Sequence, residues 1–249
     1  MRSAAICRDW DAMCGRFSLS LPAEAVARLF GVDEFPNRGP RYNIGPSQEI
    51  LVVRRRESGR GREIASMGWG FVPAWARNPV TMHRPVNARA ETVSGKPMFR
   101  DAFRRRRCLI PADGFYAWQQ TGSGKRPWRV VRADGAPFAF AGLWERWNGP
   151  VGGTIESCVI ITTEANDAVR PIHDSMPVIL EIGRFEAWLS GTAVDAAGLL
   201  EPYRGALSIY PVSRRVNNPR NDDPGLVEPI EPAQDFLTAG RADLEPKLI

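Results

Sequence analysis

The pentapeptide Met13-Cys14-Gly15-Arg16-Phe17 holds the most specific chemistry in this chain. If translation starts at Met13 and that methionine is removed, Cys14 becomes the first residue. Its α-amine would then titrate near 7.7–8.0 and its thiol near 8.5, so about neutral pH both react. Such a 1,2-aminothiol can capture an aldehyde. The amine condenses to a Schiff base with loss of water, and the thiolate adds to the imine carbon to close a thiazolidine ring. The other reading of Cys14 is a small buried hydrophobe, the ordinary fate of a lone cysteine. Residues Met1 to Ala12, with Arg2, Arg8, Asp9 and Asp11 and no apolar segment, read as a short leader or a mis-assigned start rather than a signal peptide.

Three further groups have side chains suited to work at a site. Asn87 and Arg89 read either as an amide that orients a sugar beside a guanidinium that grips phosphate, or as a loop amide and a solvated cation. His173, between Pro171 and Pro177 and next to Asp174, is either structural or an acid/base working near neutral pH. Trp69-Gly70 and Met98-Phe99-Arg100 combine aromatic faces with positive charge, the make-up of a single-strand platform; the competing reading puts both rings in the core.

The elements that position these residues read as one α+β domain of 249 residues, with short helices around a curved, largely antiparallel, barrel-like β core. Helices are expected at Ala23 to Phe30, capped by Ser20 and ended by Gly31, at Met98 to Arg107, at Phe185 to Leu189 and at Val194 to Tyr203. Strands are expected at Ile50 to Arg54, Glu63 to Phe71, Cys108 to Pro111, Gly114 to Gln119, Ser157 to Thr162 and Leu207 to Val212. Asp134-Gly135 is expected to close a hairpin between Trp128–Arg132 and Phe138–Trp144. The net charge of +5, from 33 basic and 28 acidic groups, favours a polyanionic partner such as nucleic acid. Cys7, Cys14, Cys108 and Cys158 form no C-x-x-C pair, and there are only two histidines, so neither a zinc site nor any cofactor is expected. The cysteine usage fits a reducing cytoplasm. No run of eighteen apolar residues predicts a membrane helix.

Taken in order, the motifs resemble the SRAP (SOS response-associated peptidase) family. They are Met13 to Phe17, Arg41-Tyr42-Asn43-Ile44, Trp69-Gly70-Phe71-Val72-Pro73, Asn87-Ala88-Arg89-Ala90-Glu91-Thr92, Pro97-Met98-Phe99-Arg100, Arg107 to Tyr116, Phe140 to Trp144, Ile161 to Asn166, and His173 with Met176-Pro177. The likeness runs from Met13 to about Pro232, leaving 1–12 as leader and 233–249 as tail. It implies a monomeric DNA-damage protein that senses abasic sites in single-stranded DNA and is crosslinked to them through a thiazolidine at Cys14, a lyase-like activity. Asn87 and His173 fall on active-site positions. Arg16, Trp69, Gly70, Arg89, Phe99 and Arg100 fall on or beside DNA-contacting stretches. Two departures stand out. The family's Gly-Phe-Tyr-Glu-Trp is here Gly114-Phe115-Tyr116-Ala117-Trp118, so the expected acid/base is missing, and Ser175 stands where the family carries Arg after His-Asp. Rival readings are a non-covalent single-stranded DNA-binding paralogue and a cysteine-dependent autopeptidase that removes its own leader.

Overall fold

The computed structural model describes residues 15–33, 36, 38–122 and 124–231. Met13, Cys14, the 1–12 leader and the 233–249 tail lie outside the described residues. The strands are β1 (Phe17–Leu19), β2 (Arg41–Ile44), β3 (Glu49–Arg55), β4 (Arg62–Trp69), β5 (Asn87–Arg89), β6 (Arg107–Ala112), β7 (Gly114–Thr121), β8 (Gly124–Arg132), β9 (Phe138–Asn148), β10 (Thr154–Glu164), β11 (Ser175–Pro177), β12 (Ile179–Leu180) and β13 (Leu207–Pro211). The α-helices are short: α1 (Ala23–Phe30), α2 (Ala90–Val93), α3 (Arg100–Arg105), α4 (Phe185–Ser190) and α5 (Ala193–Ala197).

Two sheets form. One is antiparallel, in the order β13-β8-β7-β1-β2. In the other, β10 pairs with β4, β4 with β3, β3 with β6, β6 with β9, and β9 again with β10, so five strands close into a ring. β5 and β11 extend β10, and β12 extends β9. The architecture is that of a single α+β domain with a mostly antiparallel, barrel-like core.

Strict alternation sorts the ring's side chains. Val52, Cys108, Ile110, Phe140, Cys158 and Ile160 share one cluster with Phe17, Phe115 and Val130 of the five-stranded sheet. Val53, Leu109, Leu143, Val159 and Ile161 share another with Val26 and Phe30 of α1, Phe103 of α3 and Trp188 of α4. The helices lie outside the ring, so the first set points inward. Because both faces are covered, these strands read as unbroken apolar runs such as Cys108-Leu109-Ile110.

Several sequence expectations are corrected. Asp134-Gly135 does not close a hairpin: β8 pairs with β7 and β13, whereas β9 pairs with β6, β10 and β12. Asp134 instead accepts two bonds from Arg132 and one from the Ala136 amide, turning the chain from one sheet into the other. Ser20 does not cap α1. Its hydroxyl and amide both donate to Asp113, and Pro22 occupies the cap position. The last helix is shorter than expected, opening on a capping box between Thr192 and Asp195 and ending at Gly198. No helix of the described residues is long and apolar enough to cross a membrane.

Candidate nucleic-acid site

Strand β1 begins three residues after Cys14 in the sequence. Phe17 pairs with Phe115 and Ser18 with Gly114. The pairing persists past the strand's end, because the Tyr116 amide donates to the Arg16 carbonyl at 3.0 Å. Continuing this register one residue further sets Gly15 across from Ala117. Ala117 is buried, shares its strand face with Phe115, and pairs with Trp128 of β8.

Two links tie this edge to the other candidate residues. The Phe17 ring meets Trp69 edge-on at 5.4 Å, and the Trp69 indole N–H donates to the Val86 carbonyl at 2.8 Å, next to Asn87. Asn87 is itself buried in β5 and paired with Ile160 of β10. The second link is Gln119, two residues beyond Ala117 on the same face. Its Nε2 donates to the Pro171 carbonyl at 3.2 Å, and its Oε1 accepts from Trp128 Nε1 at 3.2 Å.

His173 sits in the loop from β10 to β11. Asn166 shapes that loop: its Oδ1 accepts from the Val169 amide and its Nδ2 donates to the Tyr203 carbonyl. The Ser175 amide donates to His173 Nδ1 at 3.1 Å. Nδ1 also lies 3.0 Å from the Ser175 carbonyl, so the backbone of Ser175 offers it both a donor and an acceptor and fixes the ring's orientation in either tautomer.

The other face of β7 is occupied by the chain after β13. Asn43, buried in β2, donates from Nδ2 to the carbonyls of Val216, Asn218 and Asn221. Its Oδ1 accepts from Arg16 at 2.8 Å, and Arg16 also donates to the Val216 carbonyl at 2.8 Å. Burial lowers the pKa of that guanidinium from its ordinary value. Arg16 thus binds the scaffold rather than standing in solvent. Asp113 accepts from Ser18, Ser20 and Arg129, so it holds β1 in place and is no substitute for the missing acid.

The stacking platform expected of Trp69 and Phe99 is overturned by burial. Their rings are only 1% and 5% exposed, Trp69 inside the ring and Phe99 packed on Phe71 at 5.4 Å. Gly70, at φ 152°, turns the chain out of β4, a conformation that side chains rarely adopt. The loop it opens carries Trp75, 60% exposed, followed by Arg77. Sequence reasoning gave Trp75 no role; a tryptophan in a proline-bounded loop between two motifs was the available signal. Arg89 and Arg100 are exposed. The inward Cys108 and Cys158 thiols are pushed well up by burial, so neither is a thiolate near neutral pH. No group of three or more metal-ligating residues occurs among the described residues.

Known proteins resemble this chain over most of its length. The chain is 40% identical over 224 residues to the abasic site processing protein YoqW of Bacillus subtilis, covering 87% of this chain and 99% of the relative. It is 29% identical over 237 residues to the abasic site processing protein YedK of Escherichia coli, covering 88% and 100%. A crystal structure of a Bacteroides thetaiotaomicron protein superposes with a TM-score of 0.79 at 26% identity, covering 88% of this chain and all of that one. The family model for SOS response associated peptidase (SRAP) matches residues 13–219, and the chain belongs to that family.

Proposed function

We propose that this protein captures abasic sites in single-stranded DNA as a covalent thiazolidine at Cys14, once Met13 is removed. The observation that carries the reading is the β1–β7 register, which sets Gly15, the residue after Cys14 in sequence, across from Ala117, on a strand linked to Asn87 through Phe17 and Trp69 and to the His173 loop through Gln119. The likeness to relatives named abasic site processing proteins supports the same substrate.

The chemistry balances without a cofactor. The ring-opened deoxyribose presents an aldehyde. The Cys14 amine adds and one water leaves, giving an imine. The thiol then adds across the C=N bond, its proton passing to nitrogen, and the five-membered ring closes. Asn87 orients the sugar, His173 exchanges protons with its oxygens, and Arg89 and Arg100 hold flanking phosphates. Trp75, rather than Trp69 or Phe99, supplies the exposed aromatic face. With a methyl at 117 where the family has an acid, proton delivery to the sugar oxygen is slow. We therefore propose a slow, largely irreversible crosslinker. The leader ending at Met13 must be absent, because an amide nitrogen at Cys14 cannot form an imine.

The test is incubation of the mature protein with single-stranded DNA holding one abasic site, resolved on a denaturing gel, with intact mass of the protein read in parallel. The expected result is a heat-stable shifted band from protein that begins at Cys14, lost in Cys14→Ser. Crosslinking by protein that retains Met1 to Met13 would falsify the thiazolidine route. DNA binding without any adduct, with Cys14 confirmed as the free terminus, would establish the non-covalent paralogue that Ala117 favours.

A further inference from the structure

We propose that one flank of α3 and the turn before it, Lys96-Arg100-Arg104, is a phosphate track for single-stranded DNA that continues past the captured residue; this rests on the DNA reading above. The helical turn begins before α3, because the Arg100 amide donates to the Lys96 carbonyl and the Phe103 amide to the Phe99 carbonyl. Lys96, Arg100 and Arg104 are therefore spaced four apart on one flank. Phe99, Ala102 and Phe103 fill the inner face of the same turns, so the three cations are fixed outward, and all three are exposed. At 1.5 Å per residue the row spans about 12 Å, the reach of roughly three to four phosphates of a stacked strand rising 3.4 Å per residue.

Many cations of the surface are neutralised by an acidic neighbour, and this row is not. Arg38, Arg41, Arg56, Arg62, Arg184 and Arg215 each have a carboxylate within 4.0 Å. Among the described residues, Arg89, Lys96 and Arg104 have none, and Arg100 has only a 3.7 Å approach to its neighbour Asp101; exposed Arg28, Arg60 and Arg77 also lack one, but they do not fall in line on one helical flank. Unneutralised cations in a row are what a polyanion displaces its counterions to reach. The row also starts at the site: α2 follows β5 directly after Arg89, and Phe99 packs on Phe71 at the root of the Trp75 loop.

The experiment compares three proteins by fluorescence anisotropy: the wild type, the double variant Lys96→Glu with Arg104→Glu, and a control, Arg28→Glu with Arg60→Glu, which changes the net charge equally on exposed residues elsewhere. The probes are oligonucleotides with an abasic residue at one end, about 6 or about 20 nucleotides long, extended to one side or the other. Wild-type affinity is expected to rise with extension on one side. The Lys96/Arg104 variant should lose about tenfold on that long probe, with a salt slope shallower by about 1.4, from two lost contacts at about 0.7 each. The control should keep the wild-type length dependence. Equal behaviour of the two variants, with wild-type binding intact, overturns the track alone. No binding by the wild type on any strand overturns the DNA reading and the track with it.

Discussion

Strand β7 separates two regions that handle polar groups in opposite ways. On its outer face, Arg16, Asn43, Tyr116 and Trp118 are tied by hydrogen bonds to the chain around residues 216–222, to Tyr42, or to one another. On its inner face, Ala117 offers a methyl group, and Gln119 reaches across to the His173 loop. The outer face is a scaffold of hydrogen bonds, and the inner face is sparsely bonded. A site at a sheet edge can be sparsely furnished because the same strand is so firmly held from behind.

The largest effect should come from breaking the scaffold side. Asn43→Ala takes the donor from the Asn221 carbonyl and one of two donors from the carbonyls of Val216 and Asn218, which keep Arg16 and the Asn221 amide, and it removes one partner of Arg16. At about 1–3 kcal/mol for a group left unsatisfied in a buried place, a loss of about 2–3 kcal/mol is expected in urea unfolding. A loss below about 1 kcal/mol would mean that Arg16, Trp118 and Asp222 hold the chain after β13 without Asn43.

Furnishing the site side tests the other half of the contrast. On the proposed mechanism, Ala117→Glu supplies the proton carrier that position 117 lacks. General acid/base groups contribute about 10²–10⁴-fold, so crosslinking should quicken by about 10²-fold, measured as initial rate on denaturing gels. The adduct should also release more readily when challenged with fresh abasic DNA. Equal rates and equal release would show that another residue already does the work.

Tyr116→Phe returns to the scaffold with a smaller change. The phenol donates to the Tyr42 carbonyl at 2.6 Å, and its loss should cost about 1 kcal/mol. Burial raises the pKa of Tyr116 in the folded protein, offset in part by Arg129. A raised folded value means that the stability is fully present below the unfolded tyrosine value of about 10 and is lost as pH rises beyond it. The wild type should therefore lose its advantage over Tyr116→Phe in denaturant titrations above about pH 10. An advantage that stays constant across that range would place the phenol in water.

How much of this was legible follows from what a sequence encodes locally. α1 could be read because Val26 and Phe30 repeat at helical spacing and Gly31, at φ 62°, ends it. The ring strands could be read as buried runs, but their closure could not, since it depends on β9 pairing on both sides. Asp134-Gly135 carries a hairpin signature, and the partner choice of β8 and β9 overrode it. Trp69 and Phe99 stand in motifs beside the site, yet a motif does not say which way a ring points. Here alternation in β4 and the inner face of α3 send both into the core. Trp75 escaped notice because exposure is a property of the finished fold.

The smallest predicted effect is the most diagnostic for the site side. Gln119 bridges Trp128 and the Pro171 carbonyl, a side-chain link from β7 to the loop that carries His173. Both bonds lie near the surface, so water can replace them in Gln119→Ala, and thermal stability should move little. What changes is the restraint on the loop: His173 remains held by Val169 and Ser175, but that whole turn is freer to shift against Ala117. A misplaced proton carrier slows capture without weakening phosphate contacts. Crosslinking should therefore fall by a few-fold, well short of the about 10²-fold of a lost acid/base group, while affinity for intact single-stranded DNA is unchanged. Gln119→Glu separates the two bonds, since its carboxylate still accepts from Trp128 but cannot donate to Pro171. If the loop link matters, Gln119→Glu crosslinks as slowly as Gln119→Ala; if Gln119→Glu matches the wild type, Gln119 acts only by holding Trp128, and the His173 loop keeps its place without help from β7.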